Sequence, residues 1–141
     1  MQHGVHLSAV RGEIRMNKEN ILEIDNLERS YSTVMPDGET KVYSVLRGIS
    51  FQVKRGEFIG IMGSSGCGKT TLLKTIGMLN KPNGGKVLYN GEDTTEIYGD
   101  HLAEIRRTQL AFVFQDFYLM NSLTVRENIM MPLILNEDDP V

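Results

Sequence analysis

The sequence predicts an α/β fold in which a glycine-rich loop joins a buried strand to a helix, with an antiparallel β portion before that loop. Three observations support this prediction. Apolar and polar residues alternate on both sides of the turn-forming stretch "MPDGET", which is the period of a β-strand. A short apolar run, "FIGIM", leads into the loop "GSSGCGKTT". The next residues, "LLKTIGML", place their apolar side chains at helical spacing.

The elements around the loop follow from local patterns. Residues 21–27 ("ILEIDNL") and 42–53 ("VYSVLRGISFQV") are predicted to pair as antiparallel strands across the turn. The continuous apolar run at 58–62 is typical of a buried parallel strand. The helix after the loop is expected to end at "KPNGGK", residues 81–86, because glycine and proline interrupt helices.

The second half of the chain predicts further strands and helices from the same kinds of local pattern. Residues 86–93 ("KVLYNGED") predict a strand that runs into an Asn-Gly hairpin turn, and residues 97–107 have weak helical spacing. The run "LAFVFQD", residues 110–116, predicts another buried strand with polar residues at its exit. Thr124 is predicted to cap a last helix, with Glu127 as its capping-box partner three positions later.

Composition limits the class of protein. The chain has 141 residues, 40% hydrophobic and 23% charged, which suits one globular unit rather than a disordered or fibrous protein. Its net charge of −3 provides no overall positive field, so no nucleic-acid partner is expected. A single cysteine excludes an internal disulfide framework. With no signal-peptide pattern and no apolar run long enough to cross a bilayer, we expect a cytoplasmic location.

The loop at residues 63–70 satisfies the phosphate-loop pattern G-x-x-x-x-G-K-[ST], with the preceding strand and following helix that the pattern requires. Backbone N–H groups of such a loop and of the helix N-terminus form a concave anion site. Lys69 supplies a positive charge for the β- and γ-phosphates of a nucleoside triphosphate, and the Thr70 hydroxyl is placed to ligate Mg²⁺. The residues predicted to bind nucleotide here are Gly63, Ser64, Ser65, Gly66, Cys67, Gly68, Lys69 and Thr70.

Beyond the loop, the sequence resembles the ATP-binding subunits of ABC transporters from about Ile21 to Leu135. The segments that carry the resemblance are "RSY", "VLRGISFQVKRGEFIGIMGSSGCGKTTLL", "GKVLYNGED" and "AFVFQDFYLMNSLTVRENIMMPL". Within the family, "FVFQ" and "LTVRENIMMPL" are most similar to the branch that serves lipoprotein release and antimicrobial-peptide efflux.

The resemblance implies a P-loop NTPase core that binds ATP and Mg²⁺ as the energising subunit of a transporter. It implies ATP hydrolysis coupled to export only in a head-to-tail dimer of full-length ATPase subunits. It also implies an integral membrane permease as partner, which would hold the subunit peripherally on the inner face of the cell membrane.

The resemblance also assigns roles to three residues outside the loop pattern. It implies that Tyr31 stacks on the adenine ring. Without the resemblance, Tyr31 is interpreted as a half-buried tyrosine at the end of a strand. Thr71 would add a hydroxyl for the α-phosphate, or serve only as a first-turn helix residue. Gln115 would be catalytic, contacting Mg²⁺ and the attacking water, whereas its plain interpretation is a polar strand terminus.

Other functions stay open at this point. Asp116 follows Lys69 by 116 − 69 = 47 positions and would hold Mg²⁺ in a small, complete phosphate-loop kinase or GTPase. Two features argue against that enzyme class. No guanine-reading or lid motif follows, and several strands precede Gly63, whereas the chain of a small kinase usually begins at the phosphate loop. A non-hydrolysing fragment or paralogue is a further alternative. A soluble ABC-type ATPase acting on nucleic acid or ribosomes is disfavoured by the acidic balance.

The resemblance further implies a signature segment similar to "LSGGQ", a later strand ending in aspartate and catalytic glutamate, and a switch histidine. None of these is found in the 141 residues, and His3, His6 and His101 do not match the switch. We therefore expect residues 20–141 to be the N-terminal portion of an ABC-type ATP-binding domain, ending before the helical signature subdomain. Residues 1–19, polar and without a clear period, are expected to be a flexible leader.

Overall fold

The computed structural model describes residues 6–10 and 20–134. In chain order its elements are β1 (His6–Val10), β2 (Asn20–Val34), β3 (Thr40–Lys54), β4 (Phe58–Met62), α1 (Lys69–Ile76), β5 (Gly84–Tyr89), β6 (Glu92–Asp93), α2 (Gly99–Gln109) and α3 (Val125–Ile134). The chain divides into a first unit up to residue 102 and a second from residue 103.

In the first unit, four strands form an antiparallel sheet in the order β3-β2-β5-β6. The long strands β2 and β3 pair in the register Leu22 with Val53 and Tyr31 with Tyr43, across the turn at residues 35–39. This confirms the antiparallel β portion that alternation predicts. Strand β5 joins the other side of β2, and the Asn-Gly turn connects it to β6 as predicted.

The hydrophobic core of the first unit lies between this sheet and α1. Leu27 of β2, Leu46 of β3 and Leu72 of α1 are fully buried, with Leu22, Ile24 and Val87 completing the cluster. Burying a leucine side chain contributes about 1.5–3 kcal/mol. The core therefore fixes α1, and the loop that precedes it, against the sheet.

Strand β4 is present as predicted, but its surroundings differ from the prediction. Its described partner is β1, and the two run antiparallel, with Ala9 opposite Ile59. Phe58 is 70% exposed and Met62 58% exposed, so these two side chains are not buried as a central parallel strand would require. A two-stranded sheet has few neighbours to cover its faces, and β4 has no parallel partner among the described residues.

Strand β1 falls within residues 1–19, the segment expected to be a flexible leader. There the structure shows residues 6–10 paired with β4 rather than without structure. Residues 1–5 and 11–19 of that segment lie outside the described residues. The boundary of the ATP-binding portion at residue 20 stays a prediction.

The prediction of a buried strand at residues 110–116 is wrong. This segment has no regular secondary structure, and Val113 is fully exposed. A strand requires ladder hydrogen bonds to a neighbour, and none of the described strands pairs with these residues. Its apolar residues instead contact one another: the rings of Phe112 and Phe114 stack at 5.5 Å, and Tyr118 meets Phe114 edge-on at 5.1 Å.

The last helix, α3, begins with the predicted capping box. The Thr124 N–H and hydroxyl both donate to Glu127 Oε2 at 2.7 Å, and the Glu127 N–H donates to the Thr124 hydroxyl oxygen at 3.3 Å. Asn128 ties the preceding turn to the helix, because its Oδ1 accepts from the Met120 N–H at 2.9 Å and its Nδ2 donates to the Thr124 carbonyl at 3.0 Å. The acidic stretch after the helix lies outside the described residues.

Candidate nucleotide-binding site

The phosphate loop occupies residues 63–68 between β4 and α1, as the sequence predicts. Gly68 is the residue before α1 and has φ +106, and Gly66 has φ +76, both in the left-handed region that favours glycine. A Cβ at Gly68 would lie 3.0 Å from the Val45 Cγ1 atom on β3. Glycine at position 68 therefore permits the turn into α1 and lets the backbone at this position lie close to β3.

Lys69 closes the loop from the first turn of α1. Its Nζ donates to the carbonyl oxygens of Gly63 at 2.9 Å and Ser64 at 2.8 Å, and lies 3.7 Å from the Cys67 sulfur. The backbone N–H of Cys67 donates to the Ser64 carbonyl at 3.3 Å. The ammonium group is thus held at the loop, with its positive charge beside the backbone groups that the motif assigns to phosphate.

The start of α1 fits an anion and a hydrated divalent cation. The first N–H groups of a helix have no intrahelical acceptor, and those of α1 follow the loop directly. Thr70 is exposed in this turn, so its hydroxyl is accessible to a ligand, and Thr71 beside it is partly buried. Among the described residues, no cluster of three or more His, Cys, Asp or Glu is placed to hold a metal.

Tyr31 of β2 is brought to this same helix. Its side chain hydrogen-bonds to that of Thr71, its hydroxyl accepts from the Asn80 Nδ2 at 3.2 Å, and 38% of the residue is exposed. Burial raises the pKa of the Tyr31 hydroxyl, but hydrogen bonds with Thr71 and Arg29 and the charges of Arg29 and Lys74 together lower it below the usual value of 10.0. The ring thus combines an anchored hydroxyl with an exposed surface.

Arg29 is a neighbour of Tyr31 that the sequence analysis did not single out. Its guanidinium carbon lies 4.8 Å from the centroid of the Tyr31 ring, and its Nη1 donates to the Lys81 carbonyl at 2.6 Å. The sequence signal for this contact is that Arg29 and Tyr31 are two positions apart, since such residues on a strand share a face. No local pattern indicates that Asn80 and Lys81, beyond α1, return to this strand.

Gln115, the predicted catalytic and Mg²⁺-contacting residue, lies in the second unit. It is exposed in the irregular segment at residues 110–116, beside Asp116, which is also exposed. The phosphate loop and Tyr31 belong to the first unit. The geometry of the first unit therefore brings together the loop, Thr70, Thr71 and Tyr31, and the assignment of Gln115 remains a prediction.

Comparison with known proteins identifies the family. Residues 46–140, more than half of the chain, match the ABC transporter family. The chain belongs to the ABC transporter family. Its relatives include proteins named for lipoprotein release and for bacitracin export.

Three curated ABC relatives show the extent of the similarity. The lipoprotein-releasing system ATP-binding protein LolD 1 of Rhodopseudomonas palustris is 42% identical over 121 residues, 86% of this chain and 52% of LolD 1. The ABC transporter ATP-binding protein YxdL of Bacillus subtilis is 44% identical over 86% of this chain and 45% of YxdL. The bacitracin export ATP-binding protein BceA of Halalkalibacterium halodurans is 40% identical over 83% of this chain and 44% of BceA. The chain thus spans about half the length of these relatives.

Solved ABC structures confirm the fold class. The dimeric structure of MJ0796, a bacterial ABC transporter cassette, matches with a TM-score of 0.72 and 32% identity, over 85% of this chain and 50% of that chain. A post-hydrolysis state of the same cassette, bound to ADP and Pi, matches equally well at 33% identity. Among the described residues, no helix combines the length and apolar character needed to cross a bilayer.

Proposed function

We propose that this chain binds Mg-ATP as the nucleotide-binding, energising part of an ABC transporter. The observation that carries the proposal is the position of Lys69, whose Nζ bridges the Gly63 and Ser64 carbonyls at the mouth of a loop leading into the N-terminus of α1. A triphosphate entering this loop would meet a full positive charge and free N–H donors together. Charge-assisted hydrogen bonds of this kind are stronger than neutral ones.

Each part of ATP has a complementary group in the first unit. The loop N–H groups and Lys69 would hold the β- and γ-phosphates, and Thr71 would face the α-phosphate from the same turn of the helix. The partly exposed ring of Tyr31 would stack on adenine, because it is linked to that turn through Thr71. MJ0796, with the same fold, has been solved with ADP and Pi bound, which supports a nucleotide at this loop.

Mg²⁺, when bound, would neutralise charge on the β- and γ-phosphates. The exposed hydroxyl of Thr70 is placed in the first turn of α1 to hold it, with Gln115 as the second proposed ligand. Both side chains offer oxygen, which is the ligand type that Mg²⁺ prefers.

At the level of the whole protein, we propose ATP hydrolysis coupled to export in a head-to-tail dimer of full-length subunits. The dimeric MJ0796 cassette supports the dimer, and the export functions in the names of BceA and of the macrolide exporter MacB of Bdellovibrio bacteriovorus support the coupling. MacB is named an ATP-binding/permease protein, which supports a permease partner for this chain. The proposed location is the cytoplasmic face of the membrane, against that permease.

The family match bears on one of the alternatives drawn from the sequence. A small kinase or GTPase using Asp116 is not favoured, because the family match extends from residue 46 to 140 on both sides of the phosphate loop. The exposed, irregular backbone around Asp116 also differs from the strand end that such an enzyme would use to hold Mg²⁺.

Equilibrium binding of a fluorescent ATP analogue tests the proposal. Lys69→Ala should weaken binding about tenfold to a hundredfold, since a hydrogen bond to a charged group contributes about 1.5–3 kcal/mol. Thr70→Ala should weaken binding only in the presence of Mg²⁺. Lys86→Ala is the matched control, because Lys86 pairs with Asp93 at 3.3 Å on the sheet and takes no part in the loop. Unchanged affinity in both loop variants would refute the phosphate site.

A further inference from the structure

We propose that Arg29 is a positioning residue for the nucleotide base: its guanidinium covers one face of the Tyr31 ring and leaves the opposite face for adenine. The inference rests on the proposed function, in which Tyr31 stacks on the base. It adds Arg29 to that site as a residue that acts through Tyr31 and does not touch the nucleotide.

The guanidinium of Arg29 contacts the Tyr31 side chain and the Lys81 backbone. Its carbon lies 4.8 Å from the centroid of the Tyr31 ring, within the range of a cation–π interaction. Its Nη1 donates to the Lys81 carbonyl at 2.6 Å, while its buried Nε has no hydrogen-bond partner among the described residues. The orientation of the group therefore depends on the ring on one side and on the Lys81 backbone on the other.

The loop after α1 fixes the strand segment that carries both side chains. The Asn83 N–H donates to the Glu28 carbonyl at 2.9 Å, and the Asn83 Oδ1 accepts from the Ser30 N–H at 2.7 Å. Asn80 adds its bond to the Tyr31 hydroxyl at 3.2 Å. Hydrogen bonds thus connect the strand segment at residues 28–31 with the loop segment at residues 80–83. Because α1 joins this loop to Lys69, the ring and the phosphate loop are connected through one helix.

This arrangement explains why an arginine suits the position. A planar guanidinium stacks on an aromatic ring and still presents an N–H in its plane to a carbonyl, whereas a lysine ammonium is a compact charge without a stacking face. With one ring face covered and the hydroxyl anchored by Thr71 and Asn80, a base has one defined surface on which to stack. Pre-ordering the ring reduces the entropy lost when the nucleotide binds.

The test compares ligands with and without a base. Equilibrium binding of ATP, GTP and inorganic tripolyphosphate is measured for the wild-type chain, Arg29→Met and Arg29→Lys. We expect Arg29→Met to weaken ATP and GTP binding by about twofold to tenfold and to leave tripolyphosphate unchanged. Arg29→Lys, which keeps the charge, should lose most of the same affinity. Arg55→Met is the matched control, because the Arg55 Nη2 donates to the Asn90 Oδ1 at 2.9 Å, away from the Tyr31 ring.

A double-mutant cycle with Tyr31→Ala completes the test. If Arg29 acts through Tyr31, Arg29→Met should cause no further loss of ATP affinity in the Tyr31→Ala background. An equal loss in both backgrounds, or an equal loss for tripolyphosphate, would overturn the inference, because Arg29 would then act on the nucleotide directly or on the fold. If Arg29→Met does not fold, the same cycle with Arg29→Lys decides.

The outcomes also separate this inference from the proposed function. Loss of ATP binding in Tyr31→Ala with none in Arg29→Met or Arg29→Lys would overturn the role of Arg29 alone. No effect of Tyr31→Ala, with binding lost in Lys69→Ala, would overturn both the stacking platform and the role of Arg29 while leaving the phosphate site. No effect of Lys69→Ala would overturn the proposed function itself.

Discussion

The sulfur of Cys67 lies 3.7 Å from the Nζ of Lys69, inside the loop proposed to hold the phosphates of ATP. Cys67 is partly buried and is the only cysteine of the chain. A thiol reagent therefore reports on this loop without interference from other thiols.

We expect bound Mg-ATP to protect Cys67 from maleimide, and labelled protein to lose ATP binding, because the adduct would occupy the space of the phosphates. Mass spectrometry of labelling time courses with and without nucleotide measures the protection. Lys69→Ala is the control, in which ATP should protect weakly or not at all. Equal labelling rates at saturating ATP in the wild-type chain would place the nucleotide away from the loop.

Replacing Tyr31 should affect adenine and guanine nucleotides alike. Tyr31→Ala should weaken ATP and GTP binding by comparable factors, corresponding to about 1–3 kcal/mol, because a stacking platform contacts the face of the base. Tyr31→Trp should retain affinity, and Tyr31→Phe should lose part of it, since the bonds to Thr71 and Asn80 disappear. Titration with both nucleotides measures these effects. A large loss for ATP with none for GTP would show that Tyr31 reads the edge of the base.

The capping box of α3 should make the start of that helix sensitive to pH. Hydrogen bonds from the side chain and backbone of Thr124 lower the pKa of Glu127 below its ordinary value of 4.5. Since the folded-state pKa is the lower one, the stabilisation is fully present above the ordinary value and is lost as the pH falls through the lowered one. Amide hydrogen exchange of residues 125–128 at a series of pH values measures this loss.

Thr124→Ala should raise exchange at the same amides at neutral pH, because removing a threonine N-cap costs about 0.5–2 kcal/mol. Glu127→Gln should reproduce at neutral pH the opening that acid causes in the wild-type chain. Thr108→Ala is the control, since the Thr108 hydroxyl donates to the Glu104 carbonyl at 2.8 Å within α2. Exchange that does not respond to pH in the wild-type chain would show that the box does not hold the helix start.

ATP turnover distinguishes an ABC-type ATPase from a small, complete phosphate-loop kinase or GTPase. In the proposed function a second subunit completes the site, and phosphoryl transfer needs the water and the charge stabilisation in place together. The 141-residue chain by itself should therefore release no phosphate above a Lys69→Ala control, and a full-length homologue should be needed for activity. Steady turnover by the chain alone, abolished by Asp116→Asn, would instead support the small-kinase or GTPase alternative.

Features set by neighbouring residues follow from the sequence alone. The loop from Gly63 to Thr70 has Gly66 and Gly68 where positive φ angles occur, and the Thr124–Glu127 box forms as its spacing predicts. The β2–β3 pair likewise follows from alternation on both sides of a turn. In the loop and the capping box the stabilising contacts lie within a few residues of one another, and β2 and β3 are joined directly by one turn, so the local pattern contains the information.

Only the tertiary structure decided the features that depend on distant partners. Residues 110–116 have the composition of a buried strand, yet no described strand pairs with them, because an apolar run does not specify its neighbour. Likewise, β4 pairs with β1 rather than with a parallel strand. Arg29 and Tyr31 share a face of β2, but the loop at Asn80 and Lys81, some fifty residues later, is what returns to β2, where the Lys81 carbonyl accepts from the Arg29 Nη1 and Asn80 donates to the Tyr31 hydroxyl. The free energy of such contacts comes from packing between segments that no local pattern brings together.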